Sequence, residues 1–234
     1  MIATRYFTYV HLHKSGGSFV NECLLRFFAD ARQIGYHLPL SLLPPELRAL
    51  PVLGFVRSPW SYYVSWYAFQ SQRPRPNALF RCVSDDGTLD FKASVRNLVN
   101  LGDDAPRLQR LLAALPDHYA ADGFGLNLPS FALAPILESG LGFYSFLFQY
   151  MYTAPGIEPV IGRCENLRRD LLDFLGRAAA PVSDELREFV LDAPPRNASR
   201  HGDWRDYYDR DLAELVAQKD AVIVDRFGYR FARD

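Results

Sequence analysis

Apolar residues in this chain fall into short continuous runs, and the runs alternate with segments of helical period. Three runs, residues 6–10, 52–57 and 159–164, have the length and the flanking turn signals of buried strands. The first run leads into a helix through Gly16 and Gly17, and the second leads into a helix through Ser58 and Pro59. Strands that alternate with helices predict an α/β fold with three layers, α/β/α, around a mostly parallel central sheet.

Capping signals place several of the remaining helix boundaries. The helix after the third strand is predicted over residues 167–175 with Gly176 as its stop, and Ser183 is predicted to cap the next helix. A last helix is predicted to begin near Asp209 and to run until just before Gly228.

The middle of the chain, from about residue 73 to 155, carries turn clusters and helical pieces but no flanking linker. This pattern predicts one domain over residues 1–234 with a mostly helical insertion that covers the side of the core where a substrate would bind. Within the insertion, residues 141–152 are densely aromatic, which indicates a buried helix or a wall of the substrate pocket.

Composition excludes some classes of function. With 234 residues and a net charge of −1, the chain has the ordinary make-up of a globular protein and lacks the basic excess of a nucleic-acid binder. No run is long enough to span a membrane, and the first residues lack the pattern of a signal peptide. The three cysteines are widely spaced and odd in number, which favours a reducing, cytoplasmic location. Oligomeric state cannot be inferred.

The loop between the first strand and the first helix carries the first chemical signal. It reads His11-Leu12-His13-Lys14-Ser15-Gly16-Gly17-Ser18. A glycine turn that leads into a helix gathers backbone N–H groups and the positive helix end around one point, which suits a phosphate group. The lysine precedes the glycines, whereas it follows them in the G-x-x-x-x-G-K-[ST] loop of nucleotide triphosphatases, so the loop is P-loop-like in role but not in sequence.

A second anion signal lies at the next junction between a strand and a helix. Arg57 ends the second strand, at the edge of a parallel sheet where ligands collect, and its planar guanidinium matches a phosphate. Ser65 lies two turns into the following helix, from which its hydroxyl can reach the same phosphate.

Together the two segments resemble the nucleotide-binding motifs of sulfotransferases that use 3′-phosphoadenosine 5′-phosphosulfate (PAPS). The resemblance implies that Lys14 and residues 15–18 grip the 5′-phosphosulfate and that Arg57 and Ser65 bind the 3′-phosphate. A third segment, residues 197–208, is similar to the loop that closes over the nucleotide in that family, and the end of the chain is similar to bacterial and carbohydrate sulfotransferases. The implied binding residues are Lys14, Ser15, Gly16, Gly17, Ser18, Arg57, Ser65, Arg200, His201 and Gly202.

The resemblance also implies the chemistry. The reaction would move a sulfuryl group from PAPS to an acceptor hydroxyl, with 3′-phosphoadenosine 5′-phosphate (PAP) as product and no metal. Lys14 would stabilise the leaving group, and His37, which lies between the two motifs, would be the general base. His13 is the alternative base and stands where the family often has proline. A carbohydrate or glycolipid is the expected acceptor.

Two other functions fit the same sequence. One is a small-molecule kinase that uses ATP and magnesium, against which the order of lysine and glycines argues. The other is a nucleotide-binding module without catalysis, which the set of Lys14, Arg57 and Ser65 makes less favoured.

Overall fold

The structure is a computed structural model that describes residues 1–120, 126–194, 196 and 200–232. Contacts between residues divide the chain into two compact units. Within the described residues, the first unit comprises residues 1–57, 150–194 and 196, and the second comprises residues 58–120, 126–149 and 200–232.

The first unit contains a five-stranded sheet in the order β3-β1-β2-β4-β5. The strands are β1 (Ile2–Ala3), β2 (Thr8–Tyr9), β3 (Arg32–Gln33), β4 (Val52–Val56) and β5 (Val160–Arg163). β2, β4 and β5 are parallel, in a register that places Thr8 opposite Val52 and Leu53 opposite Val160. The short β1 pairs antiparallel with both β2 and β3, so one side of the sheet is antiparallel.

Helices make up most of the remaining regular structure. They are α1 (Gly17–Phe27), α2 (Pro59–Ser71), α3 (Ala78–Val83), α4 (Phe91–Val99), α5 (Ala105–Ala114), α6 (Ser130–Leu133), α7 (Ile136–Ser139), α8 (Phe143–Tyr152), α9 (Leu167–Arg177), α10 (Asp184–Asp192), α11 (Arg210–Lys219) and α12 (Ala221–Phe227). The predicted α/β fold class is therefore confirmed. Among the described residues, no helix combines the length and the apolar character needed to cross a membrane.

The core of the first unit lies between one face of the sheet and helices α1, α9 and α10. Phe7 in the loop before β2 packs edge-on against Phe28 and Phe174, with ring centroids 5.6 and 5.3 Å away. Leu53 and Phe55 of β4 point to the same face, because alternate residues of a strand share a face. Burial of these side chains is the main term that stabilises the unit.

The other face of β4 is closed by one tyrosine. The Tyr152 ring lies over Gly54, where a Cβ atom would come within 2.3 Å of the ring. The Tyr152 hydroxyl accepts the N–H of Phe55 at 2.9 Å and lies 3.0 Å from its carbonyl oxygen and 3.4 Å from that of Val10. The hydroxyl thus replaces the partner that β4 loses where β2 ends.

The second unit is built on α2, most of whose residues are buried. Tyr62 stacks on Tyr144 at 3.6 Å, and Tyr63 donates its hydroxyl proton to Asp220 at 2.7 Å. The Asp220 carboxylate also accepts the backbone N–H of Ser145 in the first turn of α8. Burial raises the pKa of Asp220 to about 6, against the opposing effect of these hydrogen bonds.

Several predicted boundaries match the structure, and others are wrong. Ser183 caps α10 through the N–H of Leu186, as predicted. Gly176 does not end α9, which continues to Arg177 and is followed by Ala179 in the left-handed region. The predicted last helix is two helices in the structure, α11 and α12, because the helix is interrupted at Asp220. The Asp220 carboxylate accepts hydrogen bonds from Tyr63 and from the backbone of α8.

The Tyr152→Phe substitution tests the closure of β4. It removes the hydroxyl and leaves the buried N–H and C=O groups of Phe55 without this partner, so we expect a loss of about 2 kcal/mol in the free energy of unfolding, measured by urea denaturation. Tyr6→Phe, on a partly exposed tyrosine of the same unit, is the control and should change stability by less than about 0.5 kcal/mol. Equal effects of the two substitutions would contradict the role assigned to Tyr152.

Candidate functional site

Three loops that follow the parallel strands of the first unit form the candidate site. The segment from His11 to Ser18 follows β2, Arg57 follows β4, and Cys164 follows β5. In parallel sheets the carboxyl ends of neighbouring strands lie at the same edge, which is where ligands bind. The Cys164 sulfur is 3.5 Å from the position that a Cβ atom of Gly16 would occupy, so the first and third loops touch.

The backbone of the first loop is turned so that α1 begins abruptly. Lys14 and Gly16 both take left-handed conformations, with φ of 56° and 82°, and Gly16 is the N-cap of α1. The carbonyl of Gly16 accepts the N–H of Phe19, which closes the first turn. The N–H groups of a first helical turn have no acceptor within their own helix, and they point along the helix axis toward the loop.

Gly17 is required by close packing. A Cβ atom there would lie 1.8 Å from Nε2 of His11, so the imidazole ring rests directly on the glycine backbone. His11 is 3% exposed, and its Nδ1 lies 3.4 Å from the Nδ2 atom of Asn21. Burial lowers the pKa of His11 well below its usual range, with a further effect from His13, so the ring is neutral at pH 7.

Two positive side chains meet at the loop. Nη1 of Arg57 donates a hydrogen bond to the backbone carbonyl of Lys14 at 3.4 Å, which holds the guanidinium against the loop. Burial and the nearby Arg57 lower the pKa of Lys14 to about 8, while Cys164 has a smaller opposite effect. Like charges raise each other's energy, so an anion placed beside Lys14 and Arg57 would be attracted by both.

Histidine side chains form the wall next to these cations. His37 is 6% exposed, has a φ of 53°, and its ring contacts those of both His11 and His13. The ring centroids of His37 and His11 are 4.3 Å apart, and those of His37 and His13 are 3.6 Å apart. The structure therefore brings both predicted bases, His37 and His13, into contact with each other, and His13 immediately precedes Lys14 in the loop.

The hydrogen bond of His37 determines which ring nitrogen is basic. Nδ1 lies 2.8 Å from the carbonyl oxygen of His11, and because a carbonyl only accepts, Nδ1 carries the proton. In the neutral ring the lone pair is then on Nε2. Burial lowers the pKa of His37 well below 6.5, with His13 and His11 adding to the effect, so His37 is neutral at pH 7.

Tyr36 links the histidine segment to the helix. Its hydroxyl is hydrogen-bonded to the Ser18 side chain in the first turn of α1, and burial raises its pKa. The Tyr36 ring also meets those of His37 and His11 edge-on, at 4.3 and 5.1 Å. Sequence reasoning did not assign Tyr36 a contact, although its position beside His37 in a loop between the two anion motifs was a usable signal.

The other predicted binding residues lie in the second unit. Ser65 is 2% exposed, within α2, and the carbonyl of Arg200 accepts a hydrogen bond at 2.8 Å from Gln72 at the C-terminal end of that helix. His201 donates from Nδ1 to the carbonyl of Gly202 at 2.7 Å. A Cβ atom at Gly202 would meet no described atom within 4 Å. Residues 197–199 of the predicted loop lie outside the described residues.

Known proteins resemble this chain in structure more than in sequence. No protein-family profile matches the chain, and no curated protein sequence matches it. The structure of mouse sulfotransferase SULT7A1 complexed with PAP is similar over 92% of this chain and 84% of that chain, with 13% sequence identity and a TM-score of 0.48. A likeness of this size assigns no role to any residue, and the roles proposed for this chain rest on the geometry of its first unit.

The Gly17→Ala substitution tests the contact between the loop and His11. The added methyl group must displace a buried ring, so we expect a loss of about 2 kcal/mol or more in the free energy of unfolding, measured by urea denaturation. Gly176→Ala is the matched control, because a Cβ atom there meets nothing within 4 Å and the residue is helical. That control should be neutral or stabilising by up to about 1 kcal/mol. An unchanged Gly17→Ala protein would contradict the packing described.

Proposed function

We propose that this protein is a PAPS-dependent sulfotransferase that transfers the sulfuryl group to an acceptor hydroxyl. The observation that carries the proposal is that two cations, Lys14 and Arg57, lie together at the loop before α1. His37, neutral and with its lone pair on Nε2, stacks on His13, which immediately precedes Lys14. A donor with separate 5′ and 3′ anionic groups needs two cationic contacts, and the transfer to a hydroxyl needs a base.

Different loops are proposed to bind the two anionic ends of the donor. Lys14 and the backbone N–H groups of residues 15–18 bind the 5′-phosphosulfate and stabilise the negative charge that develops on the departing phosphate. Arg57 binds the 3′-phosphate through its planar guanidinium. Ser65, Arg200, His201 and Gly202 remain candidates for further contacts with the 3′-phosphate, through the resemblance of their sequence segments to those of sulfotransferases.

His37 is proposed as the general base. An acceptor hydroxyl oxygen attacks the sulfur atom and gives its proton to Nε2 of His37, while the bond between sulfur and the 5′-phosphate oxygen breaks. The products are a sulfate ester and PAP. The hydrogen bond from Nδ1 to the carbonyl of His11 keeps the lone pair on Nε2 and stabilises the imidazolium that forms.

A hydroxyl of a carbohydrate or glycolipid is proposed as the acceptor. Support for this comes from the resemblance of the sequence to carbohydrate sulfotransferases alone. The aromatic side chains of α8 do not add to it, because Phe143, Tyr144, Phe146, Phe148 and Tyr152 are buried in the protein and at most 8% exposed. Radiolabelled sulfate transfer from PAPS to a panel of sugars, glycolipids and phenols identifies the class.

Donor binding discriminates among the candidate functions. PAP should raise the melting temperature of the purified protein, with ATP and magnesium giving a smaller shift, because the lysine-first loop and Arg57 suit a nucleotide with a 3′-phosphate. Lys14→Ala and Arg57→Ala should each weaken PAP binding by about 2 kcal/mol, roughly 30-fold, in calorimetric titration. Stabilisation by ATP and magnesium alone would favour a kinase, and stabilisation by neither would favour a module without this function.

Arg169→Ala serves as the control for these variants. Arg169 lies in the same unit with a side chain that is 75% exposed, and it carries the same charge as Arg57. Its removal should change PAP affinity by less than about twofold, since an exposed charge is screened by solvent and salt. A loss equal to that of Arg57→Ala would show that net charge, and not the site, governs binding.

The pH dependence of PAP binding tests Lys14 separately. The pKa of Lys14 is about 8 in the unliganded protein, and a bound anion favours the protonated form. Affinity is therefore full below pH 7 and falls as pH rises through 8, by about tenfold between pH 7 and pH 9. Lys14→Arg keeps its charge over this range, so its PAP affinity should stay constant. An equally steep fall in Lys14→Arg would assign the titration to another group.

A further inference from the structure

The side chain of His13 has no role in the proposed function, yet it makes the closest ring contact in the site. Its imidazole stacks on that of His37 with centroids 3.6 Å apart and planes inclined by 15°. His13 immediately precedes Lys14, and it is partly exposed where His37 is buried. A buried ring covered on one face by another flat ring has few orientations open to it.

We propose that His13 is a positioning residue, whose ring fixes the plane of the His37 imidazole and thereby the direction of Nε2. The catalytic consequence of this proposal rests on the proposed function, whereas the contact itself does not. A single hydrogen bond, from Nδ1 of His37 to the carbonyl of His11, holds one edge of the ring, and it weakens when the ring tilts out of line with the carbonyl. Contact with a parallel ring prevents this tilt and so preserves the hydrogen bond that fixes the tautomer.

The other neighbours of His37 do not provide a parallel face. The His11 ring is inclined by 48° to that of His37, and the Tyr36 ring meets it nearly at a right angle, 77°. These two rings limit the position of the His37 ring, and His13 determines the orientation of its plane. The titratable groups that face His37 are His13 and His11 from the loop after β2, Tyr36 beside it in the chain, and the amino group of Met1 before β1.

Protonation couples the two stacked rings. A charge on His13 disfavours a charge on His37, which is the second largest cause, after burial, of the lowered pKa of His37. Replacing His13 by phenylalanine keeps a flat ring and removes this charge. Replacing it by leucine keeps much of the volume but removes the flat face. The two variants therefore separate ring stacking from charge and from simple packing.

Nuclear magnetic resonance of protein labelled with ¹⁵N-histidine provides the test, with the His37 signals assigned by substitution. In the wild-type protein His37 should show one tautomer, protonated on Nδ1. In His13→Phe that tautomer should persist while the pKa of His37 rises, because the charge of His13 no longer opposes its protonation. In His13→Leu the Nδ1 and Nε2 signals should shift toward an average of tautomers. His118→Ala is the control, at an exposed histidine of the second unit that contacts Asp117.

Two results would overturn the proposal. One is a His37 tautomer and pKa unchanged in both His13 variants, and the other is the same change of tautomer in both, since that would show that a flat ring is not what matters. Calorimetric titration of the same variants with PAP keeps the two ideas apart. Wild-type protein that does not bind PAP would contradict the proposed function while the resonance result still decides the role of His13.

Discussion

The site depends on one electrostatic constraint, the proximity of two positive charges at the ends of parallel strands. Lys14 follows β2 and Arg57 follows β4, and the hydrogen bond from the guanidinium to the carbonyl of Lys14 keeps them together. Partial burial increases the effect, because it lowers the local dielectric and weakens solvation of the ammonium group. Like charges raise each other's energy, so an anion beside both groups would lower it, which is why the proposed function assigns this pair to the binding of an anion.

The neighbouring rings illustrate how packing prepares chemistry. The ring of His11 packs on Gly17, and the carbonyl of His11 accepts a hydrogen bond from His37. One residue therefore links the anion loop to the proposed base. Tyr36 adds a second link through Ser18. Because buried contacts already hold these groups in place, the proposed donor would bind with little reorganisation of the site.

Much of the fold and of the site followed from local sequence signals. The strand-glycine-helix pattern predicted β2 and α1, and Ser58 with Pro59 predicted the start of α2, although Ser58 makes no side-chain capping bond there. Short apolar runs predicted β4 and β5. Lys14 of the loop and Arg57 were candidates for one ligand, and in the structure the Arg57 guanidinium donates a hydrogen bond to the backbone carbonyl of Lys14. Their roles, and those of Ser65, Arg200, His201 and Gly202, stay predictions.

What the sequence did not reveal depends on contacts between distant residues. Strands β1 and β3 have two residues each, too few for a period to be detected. The interruption of the last helix at Asp220 accompanies a hydrogen bond from the backbone of Ser145, 75 residues away. The covering of β4 depends on Tyr152, which lies 97 residues after Phe55. The stacking of His13 on His37 likewise joins two loops, and no local pattern encodes it.

Phosphorus magnetic resonance of PAP bound to the protein tests the central claim most directly, because the 5′- and 3′-phosphates give separate signals. We expect that both signals shift on binding to the wild-type protein, that Lys14→Ala diminishes mainly the shift of the 5′-phosphate, and that Arg57→Ala diminishes mainly that of the 3′-phosphate. Signals that stay at their positions in free PAP at saturating protein concentration would contradict the claim that these two cations form a site for this nucleotide.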